Sequence, residues 1–425
     1  MGYSHLVNMK TKILIAALAA SLSLASCDRF LIDDIQTPPH PREDIILTKA
    51  QADIIPATRE FTFDLVRNIC TPDSKNIILS PFSLQTTLAM ASVGADGDTR
   101  DEINTAIGFD KFSTDDVCSL YSTLIPALLK VDNTVDVSIA NSVWVTPMLK
   151  IKPDYSKLLE KSFKGSAHTL SGSDDISSWV KKATRGTIKK LDVDVDGAMI
   201  ILLNALYFKG MWADVFQKGD NREDIFTNYD GERKPVMFMY KESYMDYYYG
   251  ETASAVNLLY GNGAYRMTVV IPTDENSTID DVLEALNEDL WAQMAKPEKR
   301  GKVRLYMPKF ECSYTAKLIP TLKQLGIRKA FTNEAEFTKM VNADDNLRTL
   351  LAENPLRITD AAQNSTIKVD EKGTEVISIT ELVFGVTMAG PDRDAFIFKV
   401  DTPFFYAISE VSTGTILFAG VQKWM

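Results

Sequence analysis

The sequence is short of histidine, has no closely paired cysteines and carries no excess of positive charge. Each shortage removes a class of function. Three histidines occur in 425 residues, His5, His40 and His168. The first two lie in or near the amino-terminal leader and the linker after it, which leaves His168 alone inside the folded body. A serine or cysteine hydrolase needs an imidazole base beside its nucleophile, and a zinc site draws on several His or Cys ligands. One histidine in Ser166-Ala167-His168-Thr169 supports neither and reads as a surface residue. The four cysteines, Cys27, Cys70, Cys118 and Cys312, are widely spaced and form no CxxC. With Cys27 set aside, as argued below, an odd and scattered set is no disulfide framework. The remaining three read as buried free thiols behaving as small hydrophobes. A net charge of −11 opposes nucleic-acid binding, which needs a basic surface, and reads as solubility. A Gly-rich phosphate loop is also missing. These absences predict a chain that is not a turnover enzyme and has no cofactor and no metal site.

What is present is ordinary globular composition, 45% hydrophobic and 24% charged. Lys10-Thr11-Lys12 precedes an apolar run from Ile13 to Ala25, with Met9 as a second candidate start. The run is too short to span a bilayer well and fits the core of a signal peptide. It ends in Leu24-Ala25-Ser26-Cys27, which resembles the lipobox of bacterial lipoproteins. That resemblance implies cleavage before Cys27, lipidation of Cys27, and export to a bacterial membrane, the outer membrane on its periplasmic or surface face. A soluble secreted protein with an incidental cysteine is the alternative. The expected divisions are 1–26 as signal peptide, 27–50 as lipidated cysteine plus extended tether (Pro38, Pro39, Pro41), and 51–425 as one domain. That domain is large for a single unit but within reach of a mixed α and β fold.

Along the body, Phe61, Leu65 and Ile69 are spaced four apart and predict a helix over 57–70. Ser80-Pro81 offers an N-cap with proline in the first turn, and Leu84, Leu88 and Ala91 continue one face until Gly94. Val117, Leu120, Leu124 and Leu128 mark a further helix. Val282, Leu283, Leu286 and Leu290 predict one more, as do Leu318, Leu322 and Leu325 before Gly326. Strands are expected at 135–145, 265–271 and 302–307, and at 199–208 as a strand buried on both faces. The last 60 residues read as strands at 366–383, 394–400, 404–411 and 415–421. The class is α+β.

Several blocks run in order through the body: NIILSPFSLQTTLAM (76–90), GADGDTRDEI (94–103), ANSVWV (140–145), WVKKATRGTI (179–188), LLNALYFKGMW (202–212), MPKF (307–310), LGI (325–327), AFTNEAEFT (330–338), VDEKGTEVISIT (369–380), DTPFFYAI (401–408) and TGTILFAG (413–420). In this order and spacing they resemble the serpin family. The resemblance implies a large central, mainly antiparallel sheet with further sheets, about eight or nine helices and an exposed reactive-centre loop, here about 371–397. It also implies a shutter and breach under the loop, carried onto Ser80, Pro81, Asn204, Trp212, Lys309 and Gln363. Two positions depart from the family's usual pattern: Gln363 stands where a histidine is common, and Ser178 where an asparagine precedes Trp179. Because a glutamine amide both donates and accepts, a rewired polar cluster of Gln363 with Ser80 and Asn204 is expected.

In serpins the loop is cut by a target protease and inserts into the main sheet while the protease is still acyl-linked. Alternation along a strand puts Thr374, Val376, Ser378, Thr380, Leu382 and Phe384 on one face of 374–384, and Glu375, Ile377, Ile379, Glu381 and Val383 on the other. The first set carries no charge and can be buried; the second holds both glutamates, which unpaired would block insertion. One register therefore permits insertion. Gly373 supplies a pivot, with Glu371, Thr374, Glu375, Val376, Ser378 and Thr380 completing the hinge. Family position suggests an ion pair of Glu371 with Lys309. Counting forward from Gly373 places the reactive bond at Thr387–Met388, suiting an elastase-like serine protease or a cysteine protease. Counting back from Pro403 places it at Asp392–Arg393, suiting a trypsin-like enzyme. The forward count is preferred, because the inserted length must match the sheet: about 14 residues at ~3.3 Å each span roughly 45 Å. The expected partners are a target serine or cysteine protease and the membrane; a monomer and no nucleic acid are expected. The competing expectation is a non-inhibitory serpin serving as a binding or carrier protein, because Val376 and Ile377 are bulkier than the small residues of the inhibitory pattern.

Overall fold

The structure is a computed structural model. It describes residues 40–147, 149–170, 172–183, 186, 200–342, 356–359, 361–375 and 395–425. The chain divides into Met1–Pro38 and Pro39–Met425, and all described residues belong to the second unit.

Nine α-helices occur among the described residues: α1 Lys49–Ile69, α2 Pro81–Gly94, α3 Gly97–Ala106, α4 Thr114–Leu128, α5 Pro153–Phe163, α6 Ser173–Ala183, α7 Ile279–Ala285, α8 Glu288–Ala295 and α9 Ile319–Gln324. The strands of the first half are β1 Ile77–Leu79, β2 Asp136–Val145, β3 Lys150–Ile151, β4 Gly165–Thr169, β5 Ile200–Met211, β6 Arg222–Thr227, β7 Arg233–Tyr249, β8 Ala253–Tyr260 and β9 Tyr265–Pro272. Those of the second half are β10 Lys299–Pro308, β11 Phe310–Lys317, β12 Val341–Asn342, β13 Ala362–Val369, β14 Gly373–Glu375, β15 Phe396–Lys399, β16 Phe404–Glu410 and β17 Ile416–Gln422. They build a nine-stranded sheet in the order β1-β17-β16-β9-β8-β7-β10-β15, with β6 also on β7, a six-stranded sheet in the order β11-β13-β14-β5-β2-β4, and a two-stranded sheet of β12 and β3. The six-stranded sheet is antiparallel except where β2 meets β4. Buried residues of both sheets and of α1, α2 and α4 share one hydrophobic core. A second small cluster, Trp144, Leu170, Ile176, Val180 and Leu203, lies under α6.

Local chemistry accounts for the helix starts. Thr48 and Gln51 form a reciprocal capping box at α1. Ser80 caps α2, its hydroxyl accepting from the Ser83 amide, and Pro81 opens the first turn where no amide hydrogen is needed. The Ser80 cap with Pro81 follows the sequence reading; α1 does not, since it starts at Lys49 and not at 57. The helix predicted through Val282, Leu283, Leu286 and Leu290 is broken: α7 ends at Ala285 with Leu286 as its C-cap, and Asn287 accepts from the Leu290 amide at 2.9 Å to start α8. Asparagine competes with the helix for backbone groups, which the apolar spacing did not register.

Three further expectations need correction. The tether is expected to reach residue 50, yet the folded body includes His40. The His40 amide donates to Asn133 Oδ1 at 3.0 Å, the Ile45 amide to Ser412 Oγ at 2.9 Å, and Ile45 and Leu47 pack on the core. The strand expected over 366–383 is interrupted after Val369. The Asp370 carboxylate accepts from the Lys372 amide at 2.9 Å, and the Asp370 amide donates to Gly373 O at 3.0 Å, so 370–373 is a turn. The strand expected at 199–208 as buried on both faces runs to Met211, and its Ile200 and Leu206 are only half-buried. Both border a cavity described below.

Candidate functional site

The site is the upper end of the six-stranded sheet, where the hinge enters. β14 lies between β5 and β13 and pairs with both: Gly373 opposite Met211 and Thr374 opposite Gly210 on one side, Thr374 opposite Val369 and Glu375 opposite Lys368 on the other. Among the described residues β5 and β13 share no direct pairing; β14 alone joins them. The loop expected to be free from 371 is therefore already in the sheet through Glu375. Its entry requires glycine at 373. A Cβ on Gly373 would stand 2.1 Å from Gly210 O and 2.8 Å from Met211 Cα, and a Cβ on Gly210 would stand 3.0 Å from the Tyr260 ring. The bare Cα of Gly373 lets the two backbones close to pairing distance, and that of Gly210 leaves room for the Tyr260 and Phe208 rings.

Thr374 is 2% exposed, which is the inward face that the alternation assigns to it. Its hydroxyl lies 2.5 Å from that of Tyr260, which is fully buried. The Tyr260 ring stacks on Trp212 at 4.4 Å and 17°. Trp212 in turn holds the turn before the hinge: its indole Nε1 donates to Asp370 O at 2.9 Å and its amide to Lys372 O at 2.8 Å. The Phe216 amide donates to Glu371 O at 3.0 Å. Glu371 Oε1 receives Lys309 Nζ and Asn221 Nδ2, each at 2.5 Å. Burial pushes the Glu371 carboxyl up, but the hydrogen bonds from Lys309, from the backbone at Glu371 and from Asn221 together outweigh it and hold the group below its ordinary value. Glu371 and Lys309, paired on family position, are thus in contact.

Farther along the seam, Gln363 and Ser80 meet, but not through the serine hydroxyl. The Ser80 amide donates to Gln363 Oε1 at 2.8 Å, and Gln363 Nε2 donates to Ser80 O at 2.9 Å. The Ser80 hydroxyl donates instead to Leu417 O at 2.9 Å. One side chain therefore pins the amino-terminal end of α2 to β13 through both backbone groups of one residue. The side chain of Asn204 lies outside the described residues, so its expected part in this cluster does too. A cavity of about 100 Å³ opens between β5, β13 and α2, lined by Leu203, Ala205, Gln363, Asn364, Ser83 and Leu88 among others.

The side chain of Glu375 and the whole of Val376, Ser378, Thr380, Thr387, Met388, Asp392 and Arg393 lie outside the described residues, as does Cys27. His168, read as a surface residue, is half-buried and stacks on Trp144 at 4.6 Å and 24°, and burial lowers its pKa. Ser178 is exposed. Cys70, Cys118 and Cys312 are buried free thiols, and burial pushes Cys312 up to about 12. Among the described residues no group of three or more His, Cys, Asp or Glu is placed to hold a metal ion. The sequence reading missed Tyr260, Gly210, Asn221 and Phe216. Gly210 could have been found inside LLNALYFKGMW as a glycine interrupting a strand. Tyr260 ends β8 at a hairpin turn whose Gly261 has φ +48°, but nothing local signals its contact with Thr374.

Comparison with known proteins agrees with this architecture. Residues 56–423 match the family described as Serpin (serine protease inhibitor). Serpin-ZX of Arabidopsis thaliana is 28% identical over 383 residues, which is 85% of this chain and 95% of that protein. The "Serine protease inhibitor" of Cyanea capillata is 28% identical over 81% of this chain and 91% of its own length. The solved native state of the thermophilic serpin Tengpin is 28% identical and superposes with a TM-score of 0.80 over 93% of this chain and 99% of that one. A hinge entering the six-stranded sheet, the shutter beneath it and a match across nearly the whole body lead to one assignment: this chain belongs to the serpin family.

Proposed function

We propose that the protein inhibits proteases as a suicide substrate. The observation that carries this reading is β14: the hinge already stands between β5 and β13, two strands that otherwise share no pairing among the described residues. Once the loop is cut, each following residue can extend that ribbon by pairing on both sides. In the proposed reaction the protease serine or cysteine attacks the carbonyl of Thr387, and the amine of Met388 leaves with a proton. The acyl bond to the protease persists while the new strand forms. The target class is an elastase-like serine protease or a cysteine protease, with cleavage at Arg393 by a trypsin-like enzyme as the other count. The names of curated relatives such as the Cyanea capillata inhibitor support the inhibitory reading.

Incubation with pancreatic elastase, papain and trypsin, followed by denaturing gels and mass spectrometry, tests it. A covalent complex joined at Thr387, or at Arg393, is expected; complete loop cleavage with no complex by any of the three contradicts it. A second reading, a non-inhibitory serpin that binds or carries a ligand, draws on the bulk of Val376 at an inward position.

We further propose that Cys27 is lipidated and tethers the chain to a bacterial membrane. The support is the run Ile13–Ala25 ending in Leu24-Ala25-Ser26-Cys27. Cys27→Ser should move the protein from the membrane to the soluble fraction; unchanged fractionation would refute the anchor.

A further inference from the structure

We infer that Tyr260 is a positioning residue for loop insertion: its hydroxyl latches Thr374 in the sheet of the intact chain and so sets how much of the loop is inserted before any bond is cut. The geometry stands on its own, while its consequence for inhibition rests on the reading above.

Tyr260 belongs to β8 of the nine-stranded sheet, and Thr374 to the six-stranded one. Their hydroxyls meet at 2.5 Å, and the two residues are 0% and 2% exposed. The ring has little freedom to follow a moving hinge. Trp212 stacks on one face, Phe208 meets it edge-on at 5.1 Å and 70°, and the bare Cα of Gly210 leaves room for it. Burial keeps the phenol well above its ordinary range, so it remains a neutral hydrogen-bonding group. If the hinge withdrew, Thr374 would take its hydroxyl into solvent and leave that of Tyr260 buried without this partner. A buried polar group stripped of its partner is disfavoured. The latch therefore opposes withdrawal by a means separate from the backbone pairing of β14.

Two consequences with opposite kinetic signs follow. A latched hinge withholds Gly373–Glu375 from the free loop, which slows capture by a protease. It also supplies the first paired residues of the new strand, which speeds insertion after the cut. Removing the latch should make cleavage faster and trapping less efficient, because more acyl-enzyme hydrolyses before the strand forms.

The test uses the folded chain and the variants Tyr260→Phe, Thr374→Val and their double. Hydrogen exchange is followed in the peptide covering 371–375 and, as a control, in β16 and β17. Each single variant is expected to exchange about five- to tenfold faster at 371–375 with β16 and β17 unchanged, and the double variant to match the singles. Unchanged exchange at 371–375 in both singles overturns the latch, as do additive effects in the double. Equal acceleration in β16 and β17 overturns it too, since that marks general destabilisation. Thr374→Val probes the pair from the hinge side should Tyr260→Phe fail to fold. A second arm counts inhibitor molecules consumed per protease trapped. A rise in the variants supports the positioning role, and an unchanged ratio despite faster exchange overturns it. Should the unmodified chain trap no protease, the inhibitor reading falls while the exchange arm still decides the latch.

Discussion

At the scale of the residue, Gln363 has the most sharply defined task. Its amide satisfies both the N–H and the C=O of Ser80, a residue that is 3% exposed. Truncation leaves the buried Ser80 N–H unmatched, while its C=O keeps the Leu84 amide at 3.1 Å, and such a loss costs about 1–3 kcal/mol. Gln363→Ala should therefore lower unfolding free energy by at least about 1 kcal/mol in a denaturant titration; a change within error would show that water replaces the amide without cost. An amide does not titrate, so this clasp should hold equally across the pH range in which histidine changes charge. Glu371 behaves differently. Its carboxyl is held below the ordinary value of 4.5. A depressed folded value means stability that is present above 4.5 and lost as pH falls through the folded value. Lys309→Ala removes the lysine's share of that increment, about 0–1 kcal/mol for a partly exposed pair. Melting curves of the two proteins should differ at neutral pH and converge in acid. A gap that persists in acid would mean that the lysine acts through packing alone.

At the scale of the element, the unit that matters is the turn 370–373 with β14. Trp212, Phe216, Lys309 and Asn221 all hold this short segment, through hydrogen bonds to Asp370, Glu371 and Lys372. If the Glu371–Lys309 pair biases the gate, Lys309→Ala should change the rate of loop insertion, and an unchanged rate dismisses that role. Much of this element was legible beforehand. Gly373 and the inward side of Thr374 follow from alternation, and the contact of Glu371 with Lys309 follows from the order of family blocks. The break at Asp370 was hidden because the β-branched residues on either side read as one continuous strand. Tyr260 was hidden for another reason. It lies 114 residues from Thr374 and reaches it across two sheets, and no local pattern encodes a contact of that kind. Asn221, 150 residues from Glu371, escaped in the same way. The split between α7 and α8 was missed because apolar spacing continued through Asn287 while the backbone did not.

At the scale of the whole molecule, the two large sheets and eight of the nine described helices share one core, with α6 over a second small cluster, so a change along the β5–β13 seam is coupled to the stability of most of the body. The seam holds β14 at its upper end, a cavity of about 100 Å³ lower down, and the Ser80–Gln363 clasp beside that cavity. A chain in this condition has unrealised backbone pairing, and the uncharged face from Thr374 to Phe384 is suited to supply it. The fold class and the order of its blocks were readable because serpin motifs run the length of the body. The partial entry of the hinge was not, since it depends on how closely Gly210 and Gly373 approach. The most direct measurement compares thermal unfolding of the intact chain with that of the same chain cut within 376–394 by a protease it does not trap. Insertion of the freed segment should raise the melting temperature by about 10 °C or more. A cut chain that melts at or below the intact one would contradict the account.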